Sequence, residues 1–255
     1  MPYSNAAHTL ETETSTHAAR VASRFCGPPG SGNGGYTVGM VGKRLGQEVE
    51  VTLKRPIPVD ETMQVVADPA GVGALLHADT EIATARVVEL DLDIPEAIDF
   101  SRAAAARISF PGYQAHPFPN CFVCGTNRCC GEGMCLFTGT VDEGVVASSW
   151  VPAAEFVSDE GVVAPEFICA ALDCPGAWGL IDRYGIEGPI VLGRMTYRLN
   201  KPIYAGERYV VMGWALGREG RKAFCGTAVY DTKGEVCAAA GATWFQIGKP
   251  RIAYR

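Results

Sequence analysis

Histidine is scarce in this chain, with four in 255 residues. His8 and His17 fall near the start, His77 at the end of an alternating stretch, and His116 just before a cysteine-rich segment. Long apolar runs are missing too. None approaches the roughly 20 residues of a membrane-spanning helix, so no membrane partner is expected. Basic residues do not dominate: 22 Lys and Arg against 28 Asp and Glu leave a net charge of −6 and a pI near 5.3. That balance argues against nucleic acid as the main partner. There is no G-x-S-x-G turn, so a serine-hydrolase mechanism has no support. The first residues carry early acids with neither a basic start nor an apolar core. They read as a flexible tail over 1–20 rather than a signal peptide. Ten cysteines without such a leader imply reduced thiols and a cytoplasmic protein.

What is present is the material of a globular core, 47% hydrophobic and 20% charged. The chain is organised around Ala164 to Leu180, APEFICAALDCPGAWGL. Pro165 suits a first helical position and Glu166 complements the positive helix end. Phe167, Ile168, Ala171, Leu172 and Trp178 make the stretch apolar nearly all round, which predicts burial. One acid, Asp173, sits in its middle, and a buried carboxylate is costly unless something satisfies or uses it. Pro175 cannot donate to the Ala171 carbonyl, so the helix should kink or restart there. Asp173 then has two readings, cap of the restarted turn or functional acid.

Earlier, Gly30, Gly32 and Gly35 fit G-x-G-x-x-G, but Pro28 and Pro29 replace the strand that a dinucleotide fold needs before it. The better reading is a glycine-rich entry into a short helix, Tyr36 to Leu45, with Asn33 as cap or substrate contact. Val49, Val51 and Leu53 alternate with polar residues as in a half-buried strand, and further strands run to Leu90. Pro95 to Arg107 reads as a linking helix. Three or four more strands follow the central helix.

The two halves resemble each other. At an offset of 146 residues, Leu53/Leu199, Pro56/Pro202, Ile57/Ile203, Glu61/Glu207 and Val65/Val211 coincide, and Arg55/Lys201 agree in charge. In each half a helix precedes the strands, so the chain reads as an internal duplication.

A glycine-entered helix followed by antiparallel strands, duplicated in one chain, resembles the double-hotdog acyl-CoA thioesterase superfamily over roughly residues 25 to 248. The resemblance implies an α+β fold of two tandem hotdog units, each a curved antiparallel sheet wrapping a central helix, paired as an intrachain pseudo-dimer. The implied layout is a tail at 1–20, an N-terminal unit at 21–94, a linker at 95–115, and a C-terminal unit with its cysteine-rich entry loop at 116–248. Single-hotdog thioesterases of the phenylacetyl-CoA and hydroxybenzoyl-CoA kind enter the helix as His-Gly-Gly, with an acid seven residues after the second glycine. The first half keeps the glycines as Gly34 and Gly35, with Asn33 at the histidine position and Gly42 at the acid position. The second half has Asp173 at the acid position and Ala164, Pro165 and Glu166 at the entry.

Crossing the halves therefore implies one complete site. The Gly35 and Tyr36 N–H groups would form an oxyanion hole, and Asp173 would act as general base or nucleophile. Asn33 and Gly34 would meet the substrate, and Arg194, Arg221 and Lys222 the phosphates of an acyl-CoA or related acyl thioester. No cofactor is implied, and a homo-oligomer of the double unit is compatible with the resemblance. Two alternatives stand beside hydrolysis. One is an inactive hotdog protein binding acyl-CoA or a protein partner. The other is a hotdog hydratase or dehydratase, disfavoured because neither helix contains a histidine.

Cys121, Cys124, Cys129 and Cys130 with Cys135 form a cluster whose C-x-x-C knuckle has the spacing of a zinc site. The second C-x-x-C of a zinc ribbon is missing, so structural zinc, a redox pair and a loop of reduced thiols stay open.

Overall fold

The alternating residues Val49 and Val51 are fully buried, and their neighbours face outward, in a strand over Glu48–Leu53. The computed structural model describes residues 14–129, 131–158 and 161–248, and it places that strand near the middle of a single antiparallel sheet. The strands are β1 (Ser15–Ala19), β2 (Glu48–Leu53), β3 (Met63–Ala67), β4 (Val72–His77), β5 (Thr80–Val87) and β6 (Gly139–Asp142). They continue with β7 (Val145–Trp150), β8 (Ile190–Leu199), β9 (Tyr209–Glu219), β10 (Lys222–Tyr230) and β11 (Val236–Gln246). The helices are α1 (Gly34–Gly42), α2 (Phe100–Ala106), α3 (Pro165–Ala171) and α4 (Cys174–Tyr184). Pro165 is the first residue of α3, and α4 restarts just before Pro175, as the missing proline N–H requires.

The strand order is β1-β3-β4-β5-β2-β8-β11-β10-β9-β7-β6. Read outward from the β2–β8 seam, both directions give the same succession, with β6 added at one edge. The loops repeat as well. Gly32 N–H donates to Ile57 O and Val163 N–H to Ile203 O, at 3.0 and 2.8 Å. Asn33 N–H donates to Phe25 O and Ala164 N–H to Phe156 O, at 2.8 and 2.9 Å. Before the helices the offset is thus 131 (33 to 164), and in the strands it is 146 (57 to 203). The difference of 15 residues is taken up largely by α4, which has no counterpart among the described residues of the first half.

Side chains on alternate positions of β9 go to opposite faces. Tyr209 and Val211 join the core shared with α1, α3 and α4, whereas Val210, Met212 and Trp214 pack under Leu90, Ile94 and Ala103. The segment expected as a linker therefore seals the outer face of the second half. Its helix is shorter than expected, starting at Phe100, because Asp99 caps it by accepting from Arg102 N–H at 2.9 Å. Tyr230 Oη fastens the preceding extended stretch by donating to Pro95 O at 2.8 Å. The expected tail is partly ordered too: Ser15–Ala19 pairs with β3, His17 opposite Val65.

Candidate active site

The site begins with two glycines. A Cβ on Gly35 would lie 2.3 Å from Cys169 O and 2.6 Å from Asp173 Cβ. One on Gly39 would lie 2.4 Å from Pro165 O. Their bare backbone lets α1 lie directly on α3, with the end of α3 at the start of α1. Lys43 Nζ and Glu166 Oε1, 2.9 Å apart, close the other end of this crossing.

The crossing brings Asp173 to the N-terminus of α1. Its side chain is 3% exposed and does not cap α4, although it holds the N-cap position. Oδ2 instead accepts from Asn33 Nδ2 at 2.8 Å and from Gly35 N–H at 3.0 Å. Oδ1 is buried with no hydrogen-bond partner among the described residues. Burial pushes the carboxyl up to about 7, against the opposing pull of the Gly35 N–H and the Asn33 amide. Asn33 works from both ends of its amide. Oδ1 caps α1 by accepting from Tyr36 N–H at 2.8 Å, so the donor end faces Asp173. Capping and site contact, alternatives for Asn33 in sequence, are one arrangement.

Both N–H groups of the expected oxyanion hole have acceptors in this structure. Gly35 N–H is spent on Asp173 and Tyr36 N–H on Asn33. Tyr36 itself turns into an aromatic core, stacked on Phe25 with centroids 4.4 Å apart and edge-on to Phe167. No described residue accepts from Gly34 N–H, the first helical position of α1.

Asn33, Gly34, Asp173 and Cys174 line a cavity of about 450 Å³, walled by Leu53, Ile57, Leu192 and Trp244. Strands from both halves contribute to it. The expected phosphate-binding residues do not. Arg194 projects from β8 beside Glu50, 3.7 Å from Oε2, and Arg221 and Lys222 lie exposed at the β9–β10 turn. The bases that line the cavity are Lys54 and Arg55, directly after β2. The charge match of Arg55 with Lys201 across the duplication was the available signal.

The reciprocal position is filled. Gly42 stands where the first half would carry an acid, and a Cβ there would meet Tyr197 Oη at 2.3 Å. Tyr197 is fully buried, and its hydroxyl donates to Gly46 O at 3.3 Å.

The cysteines also rearrange. Cys129 is exposed and Cys130 lies outside the described residues. Cys121 and Cys124 are joined instead by Cys174, which sequence spacing gave no reason to include. None of the described histidines hydrogen-bonds Asp173. His77 pairs with Glu61 at 2.7 Å, His17 lies in β1, His116 Nδ1 accepts from Phe118 N–H at 2.9 Å, and His8 lies outside the described residues.

A mirrored antiparallel sheet with a helix from each half crossed at the seam is the double-hotdog thioesterase-like fold, and the chain has that fold. No protein-family model and no curated protein sequence matches it. Solved structures do. The tesB protein of Mycobacterium avium subspecies paratuberculosis is 12% identical, at a TM-score of 0.62 over 91% of this chain and 93% of that one. A putative thioesterase from Novosphingobium aromaticivorans gives 0.58 at 10% identity, over 91% and 96%. A putative oleoyl thioesterase from Lactobacillus plantarum gives 0.55 at 10% identity, over 94% and 98%. Among the described residues no helix is long and apolar enough to cross a membrane.

Proposed function

We propose that the chain hydrolyses an acyl-CoA or related thioester in the cavity between its two halves, which work as an intrachain pseudo-dimer in a reducing, cytoplasmic setting. The single observation that carries this reading is the Asp173 carboxylate. One of its oxygens is fixed by donors from the opposite half, the other has no hydrogen-bond partner among the described residues, and the residue borders the cavity.

In this reading Asp173 Oδ1 takes a proton from water as the water attacks the thioester carbon. The Asn33 and Gly35 donors hold Oδ2, so the bare oxygen keeps its aim without reorganisation. The developing oxyanion needs donors not already engaged. Gly34 N–H and the second proton of Asn33 Nδ2 meet that condition, and both residues border the cavity. The acyl group lies against Leu53, Ile57 and Leu192. Lys54 and Arg55 meet the carrier's phosphates.

The test is thiol release from short, long and aromatic acyl-CoA thioesters by the full-length protein. Turnover of at least one class supports the reading. A shift in Tm on adding acyl-CoA without any turnover replaces it with the inactive binding protein.

A further inference from the structure

Cys121 and Cys124 occupy a C-x-x-C-Gly turn, and the fold adds Cys174 from the first turn of α4. The three sulfurs are buried and lie within 4.8 Å of one another, the Cys121 and Cys174 Sγ atoms 3.7 Å apart. A tetrahedral ion with bonds of about 2.3 Å to sulfur sets its sulfur ligands about 3.8 Å apart. The pair already stands at that spacing.

The turn is tightly closed. Gly125 N–H donates to Cys121 O at 2.9 Å, and a Cβ on Gly125 would lie 2.4 Å from that oxygen and 2.6 Å from Cys121 N. Only glycine closes the turn so tightly. His116 is not a fourth ligand as placed. Its Nδ1 accepts from Phe118 N–H, which leaves the proton on Nε2 and no lone pair for a metal. Cys121 and Cys174 border the cavity.

We propose that Cys121, Cys124 and Cys174 bind one zinc ion, which pins the cysteine loop to the start of α4 and keeps its fourth position toward the cavity. Binding releases the thiol protons and involves no electron transfer. The proposal does not depend on thioester hydrolysis, and its readout is the metal.

The full-length protein, reduced and stripped by chelator, should take up one cobalt(II) per chain with the charge-transfer and ligand-field bands of a tetrahedral thiolate site. Zinc should displace it. X-ray absorption of the zinc form should show three sulfurs at about 2.3 Å. Cys124→Ser and Cys174→Ser should weaken binding by at least about tenfold, on the scale of altered metal sites. Cys129→Ser should leave it unchanged. Substoichiometric uptake, an oxygen and nitrogen shell, or uptake indifferent to Cys174→Ser would overturn the assignment. X-ray absorption on the unmutated protein decides the matter if the serine variants fail to fold.

Discussion

Glu50 and Thr196, 146 residues apart in sequence, stand opposite each other across the β2–β8 seam, Thr196 Oγ1 donating to Glu50 Oε2 at 3.4 Å. That separation is the offset that superposes the two halves, so each residue faces its own repeat counterpart. On either side Val49 faces Tyr197 and Val51 faces Met195, which exchange under the same offset. The local two-fold of the sheet passes through this pair. The two helix-end positions it relates are not equal, because Tyr197 fills the space beside Gly42 whereas Asp173 borders a cavity.

One binding site per chain follows from that inequality. Calorimetric titration with a non-hydrolysable acyl-CoA thioether should saturate at one ligand per chain. Saturation at two would mean that the Tyr197 side also opens.

Asn33 separates two energies. Asn33→Ala removes the α1 cap, worth about 1 kcal/mol, and a hydrogen bond to a buried carboxylate, worth about 1.5–3 kcal/mol. Asn33→Ser restores a capping oxygen but is too short to replace the amide donor. Urea melts should show the serine variant recovering about 1 kcal/mol, with thiol release depressed alike in both. Equal activity in the serine variant and the wild type would remove Asn33 from the site.

Gly35→Ala should cost about 1–3 kcal/mol, the usual range for overpacking, because its Cβ would enter the space of Cys169 O and Asp173 Cβ. Gly217→Ala is the control. Its Cβ meets only Phe224 Cδ2 at 3.7 Å, so its effect should stay within about 0.5 kcal/mol. Matching melts for the two variants would contradict the close α1–α3 crossing.

Much of this arrangement was legible before any coordinates. An acid inside an apolar helix, a proline two residues on and a repeated L-x-x-x-I spacing are local signals, and they located Asp173, the break before α4 and the duplication. What escaped depends on contacts between distant segments. Nothing near Gly35 says that its N–H is spent on a carboxylate 138 residues away. Cys174 meets Cys121 only because α4 packs over the cysteine loop. Arg221 and Lys222 look available as bases, yet the β9–β10 turn carries them to solvent. The first strand was missed because a short polar segment gains its order from pairing with β3 rather than from its own pattern.

The basic residues can be sorted kinetically. Arg55→Ala should raise KM for acyl-CoA by about tenfold, near the value of one charge-assisted hydrogen bond, with kcat little changed. Arg221→Ala and Lys222→Ala should alter neither. The Arg55 effect should shrink with added salt. A KM change confined to the turn residues would return the phosphates to the originally expected place.

The most direct measurement compares wild type with Asp173→Asn, following thiol release, acyl-CoA affinity and thermal stability together. Loss of a general base should lower turnover by about 10²–10⁴-fold. Affinity should be kept. Tm should not fall, since the amide keeps an acceptor for Asn33 and Gly35 and no longer buries a charge. Turnover within about twofold of wild type, far short of a base's usual contribution, would contradict the account, as would a variant whose lost activity merely tracks a collapse in Tm.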